Sequence, residues 1–177
     1  MLWTPKECVF VIDLVPSTAL GRATPYVVQV GDVKITENFS VSIASIALRR
    51  GSPDQNVPDP GVWNGSYWVR PGHWFVTGAY DVLFSSTLKK QYGSDASVTD
   101  QTDAWVVFDI IAPEALFEKL CNADVRKMRP NSVVRTTIEY IGCFIIKLES
   151  SFRVIGERSA AGSLLHALSR AAKARQR

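Results

Sequence analysis

The strongest constraint on the fold is that the apolar residues come in many short runs separated by turn residues. The longest run, residues 140–146, has about seven positions, whereas a membrane-spanning helix needs about twenty. The runs are rich in Val, Ile, Phe, Tyr and Trp, which β-strands favour. With 46 % hydrophobic and 21 % charged residues among 177, the composition is that of a folded domain rather than a disordered chain. The sequence therefore predicts one β-rich domain.

Period-2 alternation and β-branched runs locate the predicted strands. Proline, glycine and polar residues mark loops at 51–61 and 85–103. The apolar run 133–148 fits either a strand or a helix by its periodicity, and we expect it to be extended from about residue 142 onward. Strands are expected at residues 8–15, 26–30, 33–36, 39–48, 105–111 and 152–155, and in two segments on either side of a turn at 70–73.

Two helices are predicted. Pro113 precedes Glu114, and apolar residues then recur at helical spacing, which predicts a body helix at about 113–127. The last segment carries leucines and alanines on one side and Lys and Arg elsewhere, which predicts a basic amphipathic helix or tail. The predicted fold class is α+β: a single globular β-rich domain over residues 1–157 with one body helix, followed by the basic segment 158–177.

Positive charge is concentrated near the C-terminus. Residues 1–157 hold 15 basic and 17 acidic groups, whereas residues 158–177 hold five basic groups and no acidic one. Such a segment is typical of proteins that bind nucleic acid or an anionic membrane surface. The alternative is a solvated helix end rich in Lys and Arg. The candidate electrostatic contacts are Arg49, Arg50, Lys89, Lys90, Arg126, Lys127, Arg129, Arg158, Arg170, Lys173, Arg175 and Arg177.

Seven aromatic residues lie between positions 63 and 84. Base stacking on such a segment needs cations alongside, and Arg70 is the one cationic residue in it. A core or a protein interface is therefore favoured, and the choice between them stays open. The candidate interface aromatics are Trp63, Trp68 and Trp74.

The residues supply little for catalysis. The two histidines, His73 and His166, show no metal-ligand spacing, and the three cysteines form no CxxC pair. Cys143 and His73 are the conceivable nucleophile and base, but Cys143 lies among apolar residues and is expected to be core. We therefore expect no enzymatic activity, cofactor, metal or small-molecule substrate. The N-terminus has no basic stretch ahead of an apolar run, so we expect no secretion signal.

One part of the chain resembles a known family. Over roughly residues 104–156 its order is a strand at 104–111, a proline and an acid, a helix at 114–121, a second helix that runs through Gly142 into an apolar strand, a short polar turn and a last strand. This order resembles the C-terminal half of rhabdovirus matrix proteins. The basic segment here is C-terminal, whereas animal-virus members carry an N-terminal basic arm with a late-domain motif, so the resemblance is to a short plant-virus member.

The resemblance implies a viral structural protein. Such a protein self-associates, binds and condenses the viral nucleoprotein–RNA complex, and contacts an acidic membrane during virion assembly. Its expected locations are the virion and the host cytoplasm, peripheral at membranes. The alternative is a small RNA-binding viral capsid or accessory protein with a C-terminal basic arm, and a third interpretation is an enzyme built around His73 and Cys143.

Overall fold

Two antiparallel sheets form the body of the protein, for which a computed structural model describes residues 17–53 and 57–176. In those residues, one sheet has six strands in the order β1-β2-β7-β10-β9-β8 and the other has four in the order β4-β5-β3-β6. The strands are β1 (Val27–Val30), β2 (Val33–Glu37), β3 (Val41–Leu48), β4 (Ser66–Arg70), β5 (His73–Ala79), β6 (Ala96–Asp100), β7 (Trp105–Ile111), β8 (Ser132–Ile138), β9 (Ile141–Lys147) and β10 (Phe152–Glu157). The strand predicted at 8–15, together with Cys8 and Arg177, lies outside the described residues.

The sheets pack face to face, and helical segments cover their outer faces. Because successive side chains of a strand point to opposite faces, each central strand contributes to two cores. On β7, Val107 belongs to the core between the sheets, whereas Val106 and Phe108 belong to the core on the outer face of the six-stranded sheet. The result is a sandwich of four layers: helix, sheet, sheet, helix.

One α-helix covers each outer face. Helix α1 (Phe84–Tyr92) buries Leu88 against Ile46 and Trp74 of the four-stranded sheet. Helix α2 (Ala161–Ala174) buries Leu164 and Leu168 against the six-stranded sheet. These elements confirm the predicted fold class, which is α+β and β-rich with one body helix and a C-terminal helix.

The predicted position of the body helix was wrong. Residues 113–127 form two 3-10 segments, Glu114–Lys119 and Val125–Lys127, instead of one α-helix. Phe117 packs on the ring of Phe152 with the ring centroids 4.8 Å apart. The Asn122–Asp124 stretch follows directly, and Asn and Asp favour turns over helix interiors because their side chains compete for backbone hydrogen bonds.

The loop predicted at 85–103 was also wrong, since it contains most of α1 and all of β6. Serine and threonine at positions 85–87 are weak helix formers. The helix forms because Leu88 and Phe84 pack on the sheet, and such packing supplies most of the stability of short helices. The hairpins predicted around Gly31-Asp32 and residues 70–73 are confirmed. The run 133–148 was expected to be extended only from about residue 142, and the helix that the resemblance implied before Gly142 was wrong, because residues 132–138 form strand β8 and pair with β9.

Candidate protein-interaction site

A cleft opens between the two sheets at one end of the sandwich, with a volume of about 370 Å³. Strand β7 of the six-stranded sheet forms one wall and β3 of the four-stranded sheet forms the other. The lining combines aromatic and aliphatic side chains with a few polar groups, a mixture typical of binding sites. Its main members are Phe39, Val41, Tyr80, Trp105, Val107 and Arg158.

The connection between β2 and β3 lines this cleft where the chain crosses from one sheet to the other. The Asn38 amide N–H donates to the Val107 carbonyl at 2.8 Å, and the Tyr80 N–H donates to the Ser40 carbonyl at 3.0 Å. The Asn38 side chain also donates to Asp109 at 2.6 Å. Hydrogen bonds therefore fix Asn38 to β7 and Ser40 to Tyr80, and Phe39 lies between these two fixed residues.

Phe39 and Tyr80 line the opening of the cleft, and Val82 and Leu83 follow Tyr80 in the chain on the way to α1. They are between 54 % and 74 % exposed. The Asp81 N–H donates to the Ser42 hydroxyl at 2.9 Å, which fixes the segment of the last three beside the start of β3. We call these four residues the apolar lip. Sequence reasoning included Tyr80 in the aromatic segment 63–84 but did not single out Phe39, Val82 and Leu83, although the apolar stretch 82–84 next to a predicted loop was a signal.

The carboxylate of Glu37 is buried beside the cleft and is occupied by the fold itself. It accepts hydrogen bonds from the backbone N–H groups of Leu20 at 3.1 Å and Tyr26 at 3.2 Å. Charged acceptors of this kind stabilise a buried backbone turn. Glu37 therefore holds the segment 18–26 against the six-stranded sheet.

Polar groups form the rim of the cleft. The Arg158 guanidinium donates to the Ser17 carbonyl at 2.9 Å and lies 3.6 Å from the carboxylate of Asp103. Asp103 is nearly fully exposed, so this ion pair adds little stability. An apolar centre with a polar, solvated rim is the usual anatomy of a protein interface.

The predicted electrostatic contacts are divided between opposite sides of the sandwich. Arg49 and Arg50 follow β3 and Lys89 and Lys90 lie on α1, so these four belong to the layers of the four-stranded sheet. The 3-10 segment Val125–Lys127 and helix α2 cover the outer face of the six-stranded sheet. The basic residues therefore do not form one continuous surface in the described part of the chain.

Several of these cations have acidic partners. Arg126 lies 3.3 Å from Glu118, Lys127 lies 3.1 Å from Asp124, Arg175 lies 3.6 Å from Asp32, and Arg170 pairs with Glu139. The contact with Lys127 lowers the pKa of Asp124. Arg49, Arg50, Lys89, Lys90, Arg129 and Lys173 are exposed.

The three candidate interface tryptophans differ in burial. Trp74 is fully buried between the four-stranded sheet and α1, with its ring 5.9 Å from that of Tyr92. Trp63 is partly buried against the core between the sheets. Trp68 is partly exposed and pairs with Trp74 across β4 and β5. Of the two alternatives for the aromatic segment, a core or a protein interface, the structure therefore shows that Trp74 is a core residue.

The structure does not bring Cys143 and His73 together. Cys143 is buried on the outer face of the six-stranded sheet, beneath α2, whereas His73 begins β5 of the other sheet. Partial burial and the nearby Arg70 charge lower the pKa of His73. The nucleophile and base that the enzyme interpretation needs are therefore separated by a sheet.

Cys143 is expected to resist alkylation in the native protein. Burial, with a smaller contribution from Cys121, raises its pKa to about 12, so only about one thiol in ten thousand is ionised at pH 8. Iodoacetamide treatment followed by peptide mass spectrometry should leave Cys143 unmodified in buffer and fully modified in urea. The partly exposed Cys121 is the internal control. Equal labelling rates for the two thiols in buffer would contradict the burial of Cys143.

Within residues 17–53 and 57–176, no three His, Cys, Asp or Glu side chains are grouped so that they could hold a metal ion. In the same ranges, neither helix has the length and apolar character to cross a membrane.

No protein-family model and no curated protein sequence matches this chain. Among solved structures, a chain of the heterotetrameric sarcosine oxidase from Corynebacterium sp. U-96, in complex with pyrrole 2-carboxylate, matches with a TM-score of 0.68 and 19 % identity, covering 82 % of this chain and 86 % of that chain. The ligand-free regulatory subunit of aspartate kinase from Thermus thermophilus matches with a TM-score of 0.46 and 12 % identity, covering 82 % and 99 %. The first match shows a shared fold, and the second is too distant to support an argument.

Proposed function

We propose that this chain is a non-catalytic subunit of a heteromeric enzyme, an amine oxidase related to the heterotetrameric sarcosine oxidase. The apolar lip is the observation that carries the proposal, because exposed apolar side chains grouped at one end of the sandwich, two of them lining the cleft, are typical of protein interfaces. The shared fold supports it, since the similarity to a chain of that heterotetramer extends over most of both chains.

In this proposal the other chains supply the catalytic groups. The candidate nucleophile and base of this chain lie in different sheets, and the Glu37 carboxylate is already hydrogen-bonded by backbone N–H groups. The contribution of the chain is therefore binding energy. Removal of the lip from water contributes about 25 cal/mol per Å² of apolar surface, and Asp103 and Arg158 at the rim orient the partner.

The proposal is tested on the protein purified, with an affinity tag, from its source cells. We expect it to elute as a stoichiometric heteromer that oxidises sarcosine or another N-methyl amino acid by two electrons while O2 is reduced to hydrogen peroxide. A chain that elutes alone or as a homo-oligomer, without oxidase activity, contradicts the proposal. Co-purification with RNA or anionic lipid alone would instead favour the interpretation as a viral structural protein.

Phe39→Ser is expected to weaken the complex by about tenfold or more, because aromatic anchors at the centre of an interface dominate its affinity. The matched control is Ile111→Ser. Ile111 is 55 % exposed, close to the 54 % of Phe39, and it lies at the opposite end of β7 from the cleft. Phe39 is level with Val106, five residues before Ile111, so the two sites are about 17 Å apart at about 3.3 Å per strand residue. Dissociation during dilution, followed by size-exclusion chromatography, measures the difference, and equal behaviour of the two variants counts against the lip.

The viral matrix and capsid interpretations stay predictions. In both, the basic residues make the main contacts and the lip has no assigned role. A flat membrane would meet the cations on one side of the sandwich at a time, since Lys89 and Lys90 lie on α1 and Lys173 lies on α2. No contact within the described residues specifically favours either interpretation over assembly with an oxidase.

A further inference from the structure

The hairpin of β8 and β9 ends in a turn that its residues do not favour. Ile138 pairs with Ile141, which leaves Glu139 and Tyr140 as a two-residue loop with φ of 47° and 70°. Both angles are in the left-handed region, where Asn-Gly or Asp-Gly is the usual choice. Glu and Tyr are strained there because each has a Cβ that crowds the backbone.

The fold offsets the backbone strain of only one of these two residues. The Glu139 carboxylate pairs with Arg170 of α2, which ties the turn to the helix. The side chain of Tyr140 is fully exposed, at 101 %. Within the described residues Tyr140 therefore receives no packing that offsets its backbone strain, and a glycine would suit the isolated chain better.

The turn lies at the same end of the sandwich as the cleft. Trp105 pairs with Glu157 at the end of β10, and Gly156 pairs with Cys143, so the start of β9 is level with the cleft. Phe39 continues β2, which lies three strands away from β9 in the sheet, so Phe39 and the turn are about 15 Å apart across the sheet. An interface of ordinary size covers about 800 Å² per partner, or about 30 Å across. One partner surface can thus meet both the lip and Tyr140.

We propose that Tyr140 is a docking anchor that enters an apolar pocket of a partner oxidase chain, an inference that rests on the proposed function. The pocket would have apolar walls and a hydrogen-bond acceptor for the phenol hydroxyl. Tyrosine suits this role because it buries a large area while losing few rotatable bonds. The ion pair of Glu139 with Arg170 holds the turn in place before binding, which lowers the entropic cost of association.

The proposal predicts opposite effects of Tyr140→Gly on the free chain and on the complex. Because glycine relieves the left-handed strain, the melting temperature of the free chain should rise by about 2 °C or more. The affinity for the oxidase chains should fall about tenfold or more. Tyr140→Phe should keep most of the affinity, and Glu139→Gly, which relieves strain in the same turn and removes the ion pair but retains the tyrosine, should lose clearly less affinity than Tyr140→Gly.

Tagged wild-type chain and variants are expressed in the source cells, and the molar ratio of co-purified oxidase chains to tagged chain is measured by quantitative mass spectrometry after serial dilution. If Tyr140→Gly retains the oxidase chains as well as the wild type does, Tyr140 is not a docking anchor, and the proposed function stands. If the wild type itself brings down no oxidase chains, both are wrong. A Tyr140→Gly chain that melts below the wild type contradicts the argument from strain.

Discussion

Replacement of Leu164 by alanine is expected to lower the free energy of unfolding by about 2–5 kcal/mol, because it leaves a cavity between α2 and the six-stranded sheet. Leu164 is fully buried. It faces Gly156 of β10 so closely that a Cβ on that glycine would lie 2.6 Å from the Leu164 Cδ2. Gly156 thus allows the helix to approach the strand. Urea denaturation followed by circular dichroism measures the loss.

Two variants on the same helix serve as controls for Leu164→Ala. Leu165 is only partly buried, so Leu165→Ala should cost no more than about half as much. Lys173 is exposed, so Lys173→Gln should change stability by no more than about 0.5 kcal/mol. If Leu164→Ala unfolded at the same urea concentration as the wild type, α2 would be an independent tail and not part of the core.

The burial of α2 also decides how its charges are to be tested. A chain truncated before α2 would uncover the apolar outer face of the six-stranded sheet, and any change in binding would then be mixed with misfolding. Point substitutions such as Lys173→Gln remove charge without opening the core. The basic segment is therefore a core helix whose solvent-facing side carries the cations.

Replacement of Trp74 by alanine is expected to cost about 3–5 kcal/mol, since it removes the largest fully buried side chain of the described residues. Trp74 fills the space between the four-stranded sheet and α1, together with Ile46 and Leu88. Loss of its ring would also remove the contact with Tyr92. The transition in urea should therefore move to much lower concentration.

The matched control for Trp74→Ala is Trp68→Ala, which replaces the same residue type at the paired position on β4. Trp68 is partly exposed, so its replacement should cost about 1.5 kcal/mol or less. Similar losses in the two variants would contradict the difference in burial. A larger loss of unfolding free energy for Trp68→Ala than for Trp74→Ala would mean that Trp68, and not Trp74, is the core residue.

Local patterns predicted the β1–β2 and β4–β5 hairpins but not the β8–β9 hairpin, because strand alternation and turn residues act within a few positions of the chain and the turn at 139–140 has neither Gly nor Asn. Gly31 and Gly72, both with positive φ, mark the turns of β1–β2 and β4–β5. The helices were harder to place. Residues 113–127 have helical spacing, but they bury Leu116 and Phe117 in a 3-10 segment. Residues 84–92 include weak helix formers, yet they form α1 because Leu88 is buried against the sheet. Packing against a sheet decided both cases, and that sheet is assembled from distant strands.

The candidate site was beyond sequence reasoning for the same reason. Phe39, Tyr80 and Trp105 are far apart in the chain, and they meet because β3 and β7 belong to facing sheets. Exposure of an apolar residue depends on what covers it, which no local pattern records. The strain at Tyr140 likewise follows from the register of β8 on β9, which leaves two residues for the turn.

By itself, the sequence determined that this protein is β-rich, that it is α+β, and that its last segment is a basic amphipathic helix, because hydrophobic periodicity and turn chemistry are local properties. Only the tertiary structure decided that this helix is part of the core, that Trp74 is buried, and that the lip and Tyr140 share one exposed end. Those outcomes depend on which distant strands pair and which faces they cover, and that is set by the free energy of the whole packed chain.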